Sequence, residues 1–225
     1  MRKNVIFIHC ALLPRWDTIL TNFMEKIIHS GLYNKVEHIY INCIGTINDY
    51  QNFHYNNFDK LTVYVNGISL DTFEISTQEL LHDFAKKNEN YNILYLHTKG
   101  VGKEINECIE DWVAYMSYFL IEKWRTCLGE LEKNDTIGVD LRAEPTLHYS
   151  GNFWWACSNY LSKLPSPTEF KRYPNPLNSE RHNQEFWICY LKDARHKCLW
   201  DCGINCYQRH LHRYLFKNYS SNSLI

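Results

Sequence analysis

The sequence predicts an α/β fold with a mostly parallel central sheet flanked by helices. Three observations carry that expectation. Strand-like apolar runs alternate with helical patterns along most of the chain. Hydrophobic residues make up 45% and charged residues 22% of 225 residues, a balance that can bury a core. Neither an internal repeat nor a long linker divides the chain. One unit is therefore expected over 1–217, with a polar tail over 218–225.

The elements follow in order. Asn4–Leu12 reads as a buried strand. Trp16–His29 carries helical spacing through Trp16, Ile19, Leu20, Phe23 and Ile27, and Gly31 marks its end. Val36–Ile44 and Leu61–Val65 are strands by alternation and β-branching. Ser76 or Thr77 can cap a helix that runs to about Lys87. Asn92–Leu96 is a short apolar strand, and Glu107–Leu131 a long amphipathic helix. Thr136–Arg142 returns as a strand, and helices follow at Ser158–Leu164 and Glu180–Lys192. Between them Ser166–Asn178, punctuated by Pro167, Pro174 and Pro176, is a loop and a candidate lid.

Bulk properties exclude some classes. A net charge of -1 supplies no field to hold a nucleic acid. The apolar run Val5–Ile8 is broken by His9, too short for a signal peptide, and no run has transmembrane length. A soluble, cytoplasmic protein is expected. The nine cysteines are odd in number and mostly scattered, which fits reduced thiols. Cys198, Cys202, Cys206 and His210 recur every fourth residue and would form one stripe on a helix. With no Cys-x-x-Cys pair, and with Gly203 weakening a helix, buried thiols are expected there rather than zinc. A zinc-stabilised interaction domain is the alternative that this stripe leaves open.

Three segments carry chemistry. The first is His148-Tyr149-Ser150-Gly151-Asn152-Phe153-Trp154-Trp155-Ala156. In an extended chain Trp154 and Trp155 point to opposite faces, so one is expected in the core and the other in a cleft. Gly151 admits close approach, and Asn152 offers donors and an acceptor to a hydroxylated ring such as a sugar. The second is the exit of strand Asn92–Leu96, His97-Thr98-Lys99-Gly100, where a cation and a glycine could meet a diphosphate. It is not a Walker loop. His9, Cys10 and Ala11 end the first strand beside it. The third is the helix from Glu180, where Arg181 and Glu185 stand four apart and share a face. A surface ion pair would look the same, but a partly buried Glu185 can also act as a general base.

Taken in order, Tyr95–Gly100, Trp112–Phe119, Gly151–Trp155 and Arg181–Trp187 resemble the nucleotide-sugar-dependent glycosyltransferases of the GT-A fold. The likeness is to an intracellular type found in bacteria and large DNA viruses, and it runs from about Asn4 to Leu191. It implies a single GT-A-like, Rossmann-like domain, in the host cytoplasm if virus-encoded. It implies a UDP-, GDP- or dTDP-sugar donor and a glycan or other hydroxyl acceptor, with hexosyl transfer expected. Donor contacts are expected from His9, Ala11, His97, Thr98, Lys99 and Gly100. Sugar and acceptor contacts are expected from His148, Ser150, Gly151, Asn152, Trp154 and Trp155. Glu185 would be the base of an inverting reaction, supported by Arg181. The wider pattern carries Asp-x-Asp, which holds Mn or Mg on the diphosphate. Here His97-Thr98-Lys99 stands in that place, and Asp140 lacks a second aspartate at the right spacing, so no metal ligand is assigned. A non-catalytic carbohydrate-binding or transferase-like module is the alternative.

Overall fold

The computed structural model describes residues 2–46, 58–65, 67–170 and 180–220. Its strands are β1 (Lys3–Ala11), β2 (His38–Ile44), β3 (Leu61–Val65), β4 (Tyr91–His97), β5 (Thr136–Gly138), β6 (Leu141–Arg142), β7 (His148–Tyr149), β8 (Trp154–Cys157) and β9 (His196–Cys198). Its helices are α1 (Trp16–His29), α2 (Ile75–Lys87), α3 (Glu107–Ser117), α4 (Trp124–Glu130), α5 (Ser158–Leu161) and α6 (Glu180–Trp187). A seven-stranded sheet runs in the order β3-β2-β1-β4-β8-β5-β9. The pairs β1–β2, β1–β4, β2–β3 and β5–β9 are parallel, and β8 runs antiparallel to both its neighbours. This is the expected α/β class with a mostly parallel central sheet.

Both faces of the sheet are covered, as parallel strands require. Along β1, Ile6 and Ile8 face a core with α1 and α3, while Val5 and Phe7 face a second core with α2, α5 and α6. That arrangement corrects the expectation for the tryptophan pair. Trp155 enters the first core and Trp154 the second, and each is 0% exposed. The side chains do alternate, but there is a core on either side and no cleft for one of them to face. Trp155 Nε1 donates to the Leu120 carbonyl at 2.8 Å, and Trp154 Nε1 to Asn152 Oδ1 at 3.0 Å. The thiols follow the same pattern. Cys10 and Cys43 are register partners on β1 and β2, and both are buried with Cys127, Cys157 and Cys189.

Three element boundaries differ from the sequence reading. The span Glu107–Leu131 is not one helix: α3 gives way to a π-helical turn, Tyr118–Glu122, before α4. Tyr118–Ile121 are four successive buried residues, more than one face of a regular helix can bury. The span Thr136–Arg142 is not one strand. Asp140 adopts φ 50°, which ends β5 and sends β6 into a separate ribbon with β7. Ser76 and Thr77 do not cap α2, which begins at Ile75 after Glu74. The Thr77 hydroxyl instead meets His9 Nδ1 at 2.8 Å and accepts from Asn42 at 3.0 Å.

The cysteine stripe is also absent. Cys198 lies on β9, Cys202 on a loop, and His210 in a 3-10 turn, Cys206–Leu211. Of the expected lid, Ser166 and Thr168 are held by Glu79 of α2, and 171–178 lie outside the described residues. No helix among the described residues is long and apolar enough to cross a membrane.

Candidate functional site

The carboxyl ends of β1, β2 and β3 open into a crevice of about 1060 Å³ lined by the turns 12–17, 45–46 and 67–71. Ligand sites in open α/β sheets form at this edge. The β4 exit is stitched to β1 beside it. Thr98 N donates to the His9 carbonyl at 3.0 Å, and Thr98 Oγ1 accepts from Ala11 N at 3.1 Å. A second cavity, about 710 Å³, lies between α1 and α3 over an apolar floor that includes Ile19, Phe23 and Val113. Arg15 lines both cavities, while Lys99 and Gly100 line only the second of these two. The ion pairs Arg15–Glu110 and Lys26–Glu122 tie α1 to the segment opposite it.

The expected donor residues come together at the edge but face different ways. His9 is buried, and burial lowers its pKa to about 3, so it is a neutral bridge between β1 and α2. His97 is buried too. Its Nε2 donates to the Gly151 carbonyl at 2.9 Å, and its Nδ1 lies 3.3 Å from Glu74 Oε1. Lys99 Nζ stands 4.1 Å from the centre of the Trp112 ring. Gly100 has φ 79°, and a Cβ there would lie 2.8 Å from Ile109 Cγ2. The glycine lets the turn close onto α3.

The aromatic segment forms a sealed turn. Ser150 N donates to the Asp140 carbonyl at 3.0 Å. Asn152 has φ 57° and its Oδ1 accepts from Trp154. His148 is buried, which lowers its pKa, and its Nδ1 donates to the Thr146 carbonyl at 2.7 Å. Glu185 is half-buried on α6. Its charge acts on His148 and on the Tyr95 hydroxyl, whose pKa is held well above the ordinary range first by burial and then by Glu74 and Glu185. Arg181 lies on the same helix, but its side chain is outside the described residues.

Among the described residues, the cluster around Asp140 does not fit a hard divalent cation. Asp140 does meet Asp201 and Cys202 in space, a pairing invisible in the linear spacing. A guanidinium already fills that place. Arg142 contacts Asp201 twice at 2.7 Å and Asp140 at 3.2 Å, and Tyr115 donates to Asp140 at 3.2 Å. Burial raises the Asp140 pKa, and a thiol is a poor ligand for Mg or Mn.

Two residues were missed in the sequence. Glu74 looks like an ordinary acidic residue at a helix start, and only the fold brings it to His97. Arg209 lies within the Cys198–His210 stripe, whose spacing does not mark it, and is buried against three aromatic rings.

Among solved structures, the chain is similar to 4-diphosphocytidyl-2C-methyl-D-erythritol synthase from Anaerococcus prevotii DSM 20548, with 11% identity and a TM-score of 0.47 over 88% of this chain and 89% of that one. It is also similar to Rv0371c from Mycobacterium tuberculosis H37Rv, with 9% identity and a TM-score of 0.46 over 93% of this chain and 98% of that one. Scores this low carry no argument about chemistry. No curated protein matches the sequence. A family model does match, over residues 12–199, and its description is "Domain of unknown function (DUF8361)"; the chain belongs to that family.

Proposed function

We propose that this chain is a GT-A-like glycosyltransferase that moves a sugar from a nucleoside diphosphate to a hydroxyl acceptor, in a unit spanning 1–217. The observation that supports the reading is the crevice at the carboxyl ends of β1, β2 and β3, with the β4 exit His97-Thr98-Lys99, rather than a pair of aspartates, hydrogen-bonded to β1 next to it. The crevice beside Ala11 takes the nucleoside. Lys99 supplies positive charge toward the diphosphate, with Thr98 and Gly100 shaping the turn. His9 and His97 act from beneath by holding α2 and Gly151 against that turn.

In the reaction, the Glu185 carboxylate takes the proton of the acceptor hydroxyl. The freed oxygen bonds to the anomeric carbon. The bond from that carbon to the diphosphate breaks, and its electron pair leaves with the diphosphate. Attack from the face opposite the leaving group inverts the centre. Both tryptophans are buried, so neither offers a stacking face to the sugar or the acceptor.

A thermal-shift screen against UDP, GDP, dTDP and their sugars tests the reading, followed by mass spectrometry of donor turnover. One nucleotide series is expected to raise the melting temperature, and its sugar form to be consumed. Lys99→Ala is expected to weaken that nucleotide by about tenfold or more. Absence of both binding and turnover across the panel rejects the proposal.

A further inference from the structure

Around Trp112 the protein buries several side-chain N–H groups that meet no acceptor among the described residues. Arg209 is 1% exposed. Its Nη1 donates to the His212 carbonyl at 3.1 Å, but Nε and Nη2 meet no acceptor among the described residues. The guanidinium carbon lies 5.7, 5.7 and 5.1 Å from the ring centres of Trp112, Tyr115 and Tyr214. Trp112 Nε1 is buried and also lacks an acceptor among the described residues. Gly151 lies against the same indole: a Cβ there would sit 3.2 Å from Cε2, the atom bonded to Nε1. Asn152 follows, 1% exposed, with Nδ2 in the same condition and Oδ1 already occupied by Trp154.

These unmet groups are all donors. Arginine and tryptophan side chains cannot accept, and the accepting end of Asn152 is engaged. Such a set matches a ligand that only accepts. Arg142 meets two carboxylates, whereas Arg209 meets three aromatic rings and no carboxylate among the described residues. Lys99 stands over the same indole that Arg209 faces. A guanidinium edge, an indole N–H and an amide N–H2 next to an ammonium group suit phosphate oxygens.

We propose that Arg209, Trp112 and Asn152 form a closed phosphate site, completed by the C-terminal turn Cys206–Leu211, that takes the diphosphate of the donor. The inference rests on the nucleotide-sugar reading. It adds a cation from beyond the span of the family match, and it assigns Asn152 to the phosphate rather than to the sugar.

Calorimetry of the full chain with inorganic pyrophosphate, and separately with UDP, GDP and dTDP, tests it. The wild type is expected to bind pyrophosphate, and Arg209→Met to bind it at least about tenfold more weakly. Asn152→Asp guards against simple loss of fold. It keeps the acceptor for Trp154, tolerates the left-handed backbone, and places a carboxylate among the donors. It is expected to abolish pyrophosphate binding while raising the melting temperature of the ligand-free chain. Unchanged pyrophosphate affinity in both variants overturns the site. So does a lower ligand-free melting temperature in Asn152→Asp. If a nucleoside diphosphate binds the wild type and both variants equally, the phosphate site fails and the transferase reading stands. If neither pyrophosphate nor any nucleoside diphosphate binds the wild type, both fail.

Discussion

At the scale of single residues, Glu185 and the tryptophan pair make opposed predictions. Glu185→Gln keeps shape and removes the base. Transfer is expected to drop about 10²–10⁴-fold with donor affinity and melting temperature unchanged. Product formation and calorimetry on the same preparation check this, with Glu180→Gln at the helix start as the control. Trp154→Ala and Trp155→Ala are expected to behave alike, each costing about 3–5 kcal/mol of stability by urea unfolding. A variant that lost activity with full stability would restore the cleft role that burial denies. The sequence could announce that these rings alternate. It could not announce that helices cover both faces, because that depends on which distant helices pack where. For the same reason Glu74 stayed hidden, although the residue it meets, His97, was singled out from its strand exit.

At the scale of elements, α3 is the part on which the site leans, since it carries Trp112 and Tyr115. Its start is secured by Asn106, whose Oδ1 accepts from Cys108 N at 2.9 Å and Ile109 N at 3.3 Å. Asn106→Ala is expected to cost about 1 kcal/mol, read as a lower urea midpoint at unchanged slope. Asn106→Asp is expected to restore it, since aspartate caps as well and favours the helix dipole. Most strands and helices were legible because apolar periodicity is a local signal. The breaks were not. The π turn after Ser117 is set by four consecutive residues finding a core, and the kink at Asp140 by a carboxylate finding Arg142 and Tyr115. Both causes are tertiary.

At the scale of the whole molecule, buried histidines tie stability to pH. His9, with its pKa lowered to about 3 by burial, stays neutral in the folded chain, while the unfolded chain takes up the proton near 6.5. Burial likewise lowers His82, His148 and His196. Below pH 6.5 the unfolded state therefore holds more protons than the folded one, and stability falls as pH falls. Above 6.5 both states are neutral at these rings, and their contribution is fully present. For His9 the loss accumulates from pH 6.5 down to about 3, at up to about 1.4 kcal/mol per pH unit. Asp140, raised by burial, works the other way, and protonation relieves its penalty. Melting temperature is expected to be flat around neutral pH, to decline steadily below pH 6.5 with a shallower decline in His9→Gln, and to fall again in the alkaline range, where the unfolded chain ionises the thiols and tyrosines that burial keeps protonated. A decline no shallower in His9→Gln would place the acid sensitivity elsewhere.

The burial of the thiols has a practical reach beyond packing. Cys10 and Cys43 sit side by side near the carboxyl ends of β1 and β2, and Cys127, Cys157 and Cys189 are buried elsewhere in the fold, whereas Cys108, Cys198 and Cys202 are only partly covered. A maleimide added to the folded chain should label the second group quickly. It can reach the first only when β1 and β2 part or a helix lifts. Mass spectrometry of labelled peptides over time then becomes a stopwatch for opening events, with each buried cysteine timing its own layer. A nucleotide that closes the strand-end crevice should slow Cys10 and Cys43 while leaving Cys157, at the far end of β8, on its original schedule.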